Sequence, residues 1–345
     1  MYSLLKRILF TFDPESAHLF VKNLSPFLPK KLLSKKTRHA YPALKTSLGG
    51  TLLDNPIGLA AGFDKNGEML ELIYALGFGF SEIGSVTLHP CLGNKKPRLF
   101  RYPKDESLMN RLGLPNHGAQ VIATRLKKET PKLPYGLNIA RTPNFAVPKN
   151  DARNGISDFL STYENLKNLG FYSVLNLSCP NTEDGRTFED PGLFSELAEA
   201  LLKKKSKKPH LIKVSPTLPL QQLNSLCESA LKLGFDGFVV SNTSATSEGG
   251  VSGRRLLSQA NAQLKNVFEI TKGKALLIGA GGILSFEDLL TKLSLGAEFF
   301  QIYTGLIYRG PFFVAHLNKQ LANFCKKLGI KNYRELIGNP EILKM

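Results

Sequence analysis

The segment Tyr172-Ser173-Val174-Leu175-Asn176-Leu177-Ser178-Cys179-Pro180-Asn181-Thr182 sets a short apolar run against an abrupt polar ending. The first four residues read as a buried strand. Two amides, a hydroxyl and a thiol follow within a few positions. Polar groups crowded at the end of a buried strand are costly unless something uses them. A thiol there can hold or remove a proton, and flanking amides can bind a planar polar molecule. A capped turn with a half-buried free cysteine would leave the same local trace, so the segment alone leaves both readings open.

Outward from this point the same grammar repeats. Short apolar runs are expected as strands over Pro56–Leu59, Phe80–Gly84, Gly136–Ile139, Ser173–Leu177, His210–Val214, Gly237–Ser241, Ala275–Gly279 and Phe299–Tyr303. Helical periodicity lies between most of them, over Glu68–Leu76, Ile156–Leu169, Pro191–Lys205, Leu220–Leu233, Ala260–Thr271 and Phe286–Leu295, with a last helix over Phe312–Lys327. Strands alternating with helices predict parallel crossovers, and eight of them predict a (β/α)8 TIM barrel. The stretch Thr87–Pro134 is longer than a plain connection, a length that usually carries function.

Such a barrel places its active site at the C-terminal strand ends. Polar residues gather there. Strand one runs into Ala60-Ala61-Gly62-Phe63-Asp64-Lys65, the third carries Asn138, the fourth Asn176 and the fifth Lys213. The sixth ends in Ser241-Asn242-Thr243, the seventh in Gly279-Ala280-Gly281-Gly282 and the eighth in Tyr303-Thr304-Gly305. Glycines after strand seven let backbone N–H groups approach an anion, and with the loop after strand eight they form the usual phosphate site of barrels. Gly249-Gly250-Val251-Ser252-Gly253 is a candidate to close over it. Lys213, flanked by apolar neighbours, suits a negative charge developing on a reduced isoalloxazine ring. No G-x-G-x-x-G pattern opens a βαβ unit, which disfavours a Rossmann cofactor.

Composition narrows the class. The chain has 345 residues, 42% of them hydrophobic, enough for one barrel and an appendage. Cys91, Cys179, Cys227 and Cys325 lie far apart with no CxxC pair, which argues against a zinc site or a disulfide scaffold and fits a reducing compartment. No run of 18 apolar residues and no signal-like segment is found. The net charge of +17 favours anionic partners. The lysine runs carry no interleaved aromatics, so a nucleic-acid groove is poorly supported.

The first 45 residues differ from the rest, and the division expected is 1–45 and 46–345. Two short amphipathic helices are predicted, the second opened by Asp13-Pro14-Glu15 as N-cap, first-turn proline and early acid. Basic residues far outnumber the acids Asp13 and Glu15. A membrane surface and a helical hairpin packed on the barrel both suit this pattern.

With these residues placed, the chain resembles the dihydroorotate dehydrogenases, most of all the membrane-associated, quinone-reducing class 2. The motifs that carry the resemblance are LAAGFDKNGE at 59–68, GFGFSEIGSVT at 77–87, GNKKPRLFR at 93–101, NRLGL at 110–114, NLSCPNT at 176–182, SNTS at 241–244, GGVSG at 249–253 and GAGGI at 279–283. The resemblance implies oxidation of (S)-dihydroorotate to orotate with FMN, in de novo pyrimidine biosynthesis, with electrons passed to a membrane quinone. It implies that Ala61, Gly62, Lys65, Ser85, Asn138, Asn176, Lys213, Ser241, Gly253, Gly282, Tyr303 and Thr304 hold the flavin. Substrate would be held by Lys65, by Asn110, Arg111, Leu112, Gly113 and Leu114, and by Asn176, Asn181, Asn242 and Thr243. His18, Arg101 and Tyr303 would line the quinone tunnel, and the enzyme would sit peripherally at the cytoplasmic face of the cell membrane. No metal and no nucleic acid are expected.

The catalytic base implied is the residue at Cys179. Class 2 enzymes carry serine there and the soluble class 1 enzymes cysteine, so this position departs from its class. A free thiol with a pKa near ~8.5 is a few per cent thiolate at neutral pH, whereas a hydroxyl is almost never ionised. Ala140-Arg141-Thr142-Pro143 also departs from the family loop, and Ser85 and Ser241 stand where threonines are usual. Two other readings stay open: a class 1-like soluble dihydroorotate or dihydropyrimidine flavoenzyme using fumarate or NAD, and a non-enzymatic basic barrel.

Overall fold

A computed structural model describes residues 2–147, 155–177 and 188–345. Eight parallel strands close a barrel: Ile57–Leu59, Phe80–Val86, Tyr135–Ile139, Ser173–Asn176, His210–Val214, Gly237–Val240, Leu276–Ala280 and Phe299–Ile302. Spatial neighbours are chain neighbours, and the eighth strand pairs with the first through Ile302 and Leu59. Each expected strand is present within one or two residues. Their near-continuous apolar character follows from burial on both faces.

Phe80, Tyr172 and Phe299 stand at the strands' N-terminal ends and fill the barrel's lower interior. A hairpin of Thr46–Leu48 and Thr51–Leu53 closes that end, contributing Leu48 and Leu53 to the same cluster. Packing of the barrel with the surrounding helices forms the larger core.

Several elements were not anticipated. The stretch Thr87–Pro134 holds the helix Ala119–Lys128 and an antiparallel pair, Leu99–Tyr102 with Ser107–Asn110. Gly249–Gly253, read from sequence as a closing loop, is a strand. It pairs with Ser107–Asn110 on one side and Ser244–Thr246 on the other, completing a four-stranded sheet beside the barrel mouth. The long helix begins at Arg254 rather than Ala260.

The N-terminal segment forms three helices, Tyr2–Thr11, Pro14–Leu24 and Lys30–Thr37, where two were expected. The second opens as anticipated: Asp13 accepts a hydrogen bond from the Ser16 N–H at 2.9 Å, with Pro14 in the first turn. The third is lysine-rich and lacks a strong apolar stripe. It is held by the barrel instead, through Thr37 to the Ala75 carbonyl at 2.7 Å and Arg38 to the Tyr74 and Phe78 carbonyls. The first helix buries none of its residues, and Leu4, Leu5, Ile8, Phe12, Leu19 and Phe20 remain exposed.

Candidate active site and an adjoining apolar cavity

A cavity opens at the C-terminal ends of the barrel strands, where the sequence reading put the site. Its wall includes every residue expected to hold the flavin except Asn138. From the expected substrate set it includes Lys65, Asn110, Leu112, Leu114, Asn176, Asn242 and Thr243. Arg111 and Gly113 are not on that wall. Arg111 donates instead to the Pro97 carbonyl at 3.2 Å and lies over the Phe100 ring. Cys179 and Asn181 lie outside the described residues.

Lys65 and Lys213 bring positive charge to the cavity. Burial, together with nearby cations, pulls the Lys65 ammonium down to about 8, although Glu15 and Asp64 pull the other way. Lys213 is buried, and its Nζ lies 3.7 Å from Glu82 Oε1. A snorkelling surface lysine is therefore not what this position holds. On the same cavity's wall Gly253, Gly281 and Gly282 take positive φ values of 86°, 87° and 80°. A Cβ on Gly282 would fall 2.6 Å from that of Leu257, and one on Gly253 would fall 2.4 Å from the Glu106 carbonyl. Packing and positive φ both require glycine here, and such residues can turn successive backbone N–H groups toward an anion.

Glu82 was not anticipated. It is fully buried inside the barrel beneath the cavity. Asn138 Nδ2 donates to it at 2.8 Å, Gln301 Nε2 at 2.6 Å and the Tyr172 hydroxyl at 3.1 Å. A buried carboxylate costs several kcal/mol without such partners. Gln301 lines the cavity, and its Oε1 is buried without a hydrogen-bond partner.

A second cavity, about 450 Å³ and almost wholly apolar, lies between the N-terminal helices and the barrel. Leu9, Ala17, Val21, Leu28, Ile73 and Leu306 contribute to its wall. Three polar side chains expected at a quinone site are there: His18, Arg101 and Tyr303. His18 Nε2 lies 2.9 Å from the Phe63 carbonyl. A carbonyl only accepts, so Nε2 carries the proton. Burial, then the Lys65 charge, lowers His18 to about 4, so the ring is neutral near pH 7. Arg101 donates to the Phe12 carbonyl at 2.8 Å and lies over the Phe10 ring, while its Nε–H is buried without a partner. Burial raises Tyr303 to about 12.

Tyr303, Leu99 and Leu108 belong to the walls of both cavities. The aromatic edge contacts Tyr303–Phe63 at 5.6 Å and Phe63–His18 at 4.8 Å run between them. Glu15, on the second helix, meets Arg98 through two hydrogen bonds of 2.6 and 3.1 Å, which hold its carboxyl below the usual carboxylate range. Arg98 also binds the carbonyls of Leu92 and Asn94, so it ties the helices to the loop preceding Asn110.

A (β/α)8 barrel with a glycine cradle and two lysines at its mouth, backed by an apolar annex, defines an enzyme of the phosphate-binding, flavin-holding barrel class. Residues 43–325 match the family described as dihydroorotate dehydrogenase, and the chain belongs to that family. It is 39% identical to the dihydroorotate dehydrogenase (quinone) of Nitratiruptor sp. over 98% of both chains, and 33% identical to that of Mycobacterium marinum over 98% of this chain and 97% of the other. A crystal structure of the Eimeria tenella dihydroorotate dehydrogenase in complex with ferulenol superposes with a TM-score of 0.83 at 30% identity, covering 94% of this chain and 95% of the other.

The residues present fit FMN. The partnerless Gln301 Oε1 can accept from a ring N–H, Lys213 supplies a cation, and the cradle of Gly253, Gly281 and Gly282 suits a phosphate.

Proposed function

We propose that this chain oxidises (S)-dihydroorotate to orotate, with FMN as first acceptor and a quinone as second. One observation carries the reading: a polar, lysine-bearing cavity and an apolar cavity share the wall of Tyr303, Leu99 and Leu108. Bound FMN supplies the acceptor for hydride from substrate C6 and the onward relay of its electrons. The chain's own residues do the rest. Lys65 attracts the substrate carboxylate, and Asn110, Asn176 and Asn242, with Asn181, meet its amide edges. Cys179 removes the C5 proton. In the apolar cavity the buried, partnerless Arg101 Nε–H is the donor for a quinone oxygen, and neutral His18 adds a second polar contact without a charge.

The proposal extends to a peripheral position at the cytoplasmic face of the cell membrane. Its support is the exposed apolar set of the first two helices beside Lys6, Arg7 and Lys22, a composition suited to a lipid surface. No helix among the described residues is long and apolar enough to cross a membrane.

The deciding experiment is spectroscopic. Purified protein is expected to be yellow, to bleach anaerobically with dihydroorotate, and to be reoxidised by a quinone much faster than by fumarate or NAD. Faster reoxidation by fumarate would move the chain to the class 1-like reading, and a colourless protein that binds no FMN would sink the enzyme assignment.

Orotate affinity should also depend on pH through Lys65. Its proton is present below about 8 and is lost above, so the anion meets a cation only on the acid side. The orotate Kd is expected to be flat below pH 7 and to climb toward about tenfold per unit well above 8, the slope for loss of one required proton. Spectral titration of bound FMN measures this, and a flat profile to pH 9.5 would remove the Lys65 charge from binding.

A further inference from the structure

Five hydrogen bonds join Glu82 to the substrate side of the cavity in a single direction. Asn138 Nδ2 donates to Glu82 Oε1 at 2.8 Å, and the Ser85 hydroxyl donates to Asn138 Oδ1. Asn176 Nδ2 donates to the Ser85 oxygen at 3.0 Å, and Asn242 Nδ2 donates to Asn176 Oδ1 at 3.2 Å. The backbone N–H of Thr243 donates to Asn242 Oδ1 at 2.9 Å. Every hydrogen points toward Glu82.

The two ends make this direction obligatory. An ionised carboxylate only accepts, and a backbone N–H only donates. A primary amide or a hydroxyl between them can do either, so taken alone each could turn over. Fixed by both ends, three asparagine amides and one hydroxyl have one arrangement. Glu82 meets donors only: Asn138, Gln301 and Tyr172 donate hydrogen bonds to it, and the Lys213 ammonium lies 3.7 Å away. Asn138 is fully buried and off the cavity wall, which places it in the chain rather than against a ligand.

We propose that Glu82 is a positioning residue of this site: its buried carboxylate sets the orientation of the Asn138, Asn176 and Asn242 amides, and thereby which amide edges meet the pyrimidine ring, while pairing with Lys213 at the cavity wall. The inference rests on the dihydroorotate dehydrogenase reading. It adds a requirement for an acceptor at a residue that touches neither ligand. A neutral amide at this position can donate as well as accept, so the chain loses its fixed direction. Lys213 also loses its counter-charge, which leaves the cation free to favour the reduced, more negative flavin.

The test uses the FMN-loaded Glu82→Gln enzyme, an isosteric change. Orotate affinity, read from the spectral perturbation of bound FMN, is expected to fall about tenfold or more, the cost of one to two mis-set hydrogen bonds in a buried site. The FMN midpoint potential is expected to move to a more positive value. Tyr172→Phe removes a donor to Glu82 without entering the chain and should leave the orotate Kd unchanged. Wild-type Kd and potential in Glu82→Gln, or an equal loss of affinity in Tyr172→Phe, would overturn the proposal. If Glu82→Gln does not fold, Asn138→Ala cuts the first link while the carboxylate keeps its other partners, and an unchanged orotate Kd there would overturn it equally. A wild-type enzyme whose flavin spectrum ignores orotate would instead refute the substrate reading, and the potential would still report on Glu82.

Discussion

Replacing Cys179 with alanine is expected to slow reduction of bound FMN by dihydroorotate by about 10²–10⁴-fold, the range for loss of a positioned general base. Stopped-flow absorbance under anaerobic conditions measures it, and a wild-type rate in the alanine variant would remove Cys179 from the mechanism. Serine at the same position should keep measurable reduction but need a higher pH, because a hydroxyl releases its proton far less readily than a thiol. The difference between the cysteine and serine profiles isolates Cys179, because Lys65, at about 8, is common to both and the other thiols are raised. Burial raises Cys227 to about 12 and Cys325 to about 11, and it raises Cys91 as well. Each of the three is buried. The strand leading to Cys179 is held in register, with Ser173 opposite His210 and Asn176 opposite Lys213.

Removing residues 2–27 is expected to cut quinone reduction about a hundredfold or more while FMN reduction by dihydroorotate stays within about twofold of wild type. The first two helices supply one side of the apolar cavity, through Leu9, Ala17, His18 and Val21 among others. Losing the burial of one or two apolar side chains' worth of contact costs about 3 kcal/mol, which is about two decades in affinity. The flavin-side wall comes from barrel strands and the sheet beside them, which the truncation leaves in place. It also spares the third helix, whose bonds through Thr37 and Arg38 belong to the barrel's own packing. The same protein should lose its affinity for anionic vesicles in co-sedimentation. Unchanged quinone turnover would dispose of the apolar cavity as the quinone site, and unchanged vesicle binding would dispose of the membrane reading.

Much of this architecture can be read from short windows. Each barrel strand is a local apolar run with a polar ending, and neither mark depends on what the strand pairs with. Lys65, Asn176, Lys213 and Tyr303 were legible for the same reason, since the end of a strand in a parallel barrel is also the edge of its cavity. The sheet beside the mouth was not. Gly249–Gly253 carries no strand signal of its own, and it is extended because its partner Ser107–Asn110 lies far away in the chain. The third N-terminal helix escaped notice because its stability is borrowed from backbone carbonyls of the barrel.

Glu82 marks the division most sharply. Phe80-Ser81-Glu82-Ile83 lies in a run read from sequence as an apolar strand, and since both faces of a barrel strand are buried nothing in that run marks Glu82 for a role. Phe80 and Glu82 point the same way, into the barrel, and the donors that make a carboxylate tolerable there come from residues 56, 90 and 219 positions distant. The chain by itself determined the barrel, the glycine turns, the lysines and the amides at its rim, because strand ends and glycine turns are written locally. The tertiary structure alone decided which way those amides face, that Asn138 lies behind the wall, and that Tyr303 stands between two cavities. Those facts arise from donors, acceptors and ring edges brought together only by closure of the barrel.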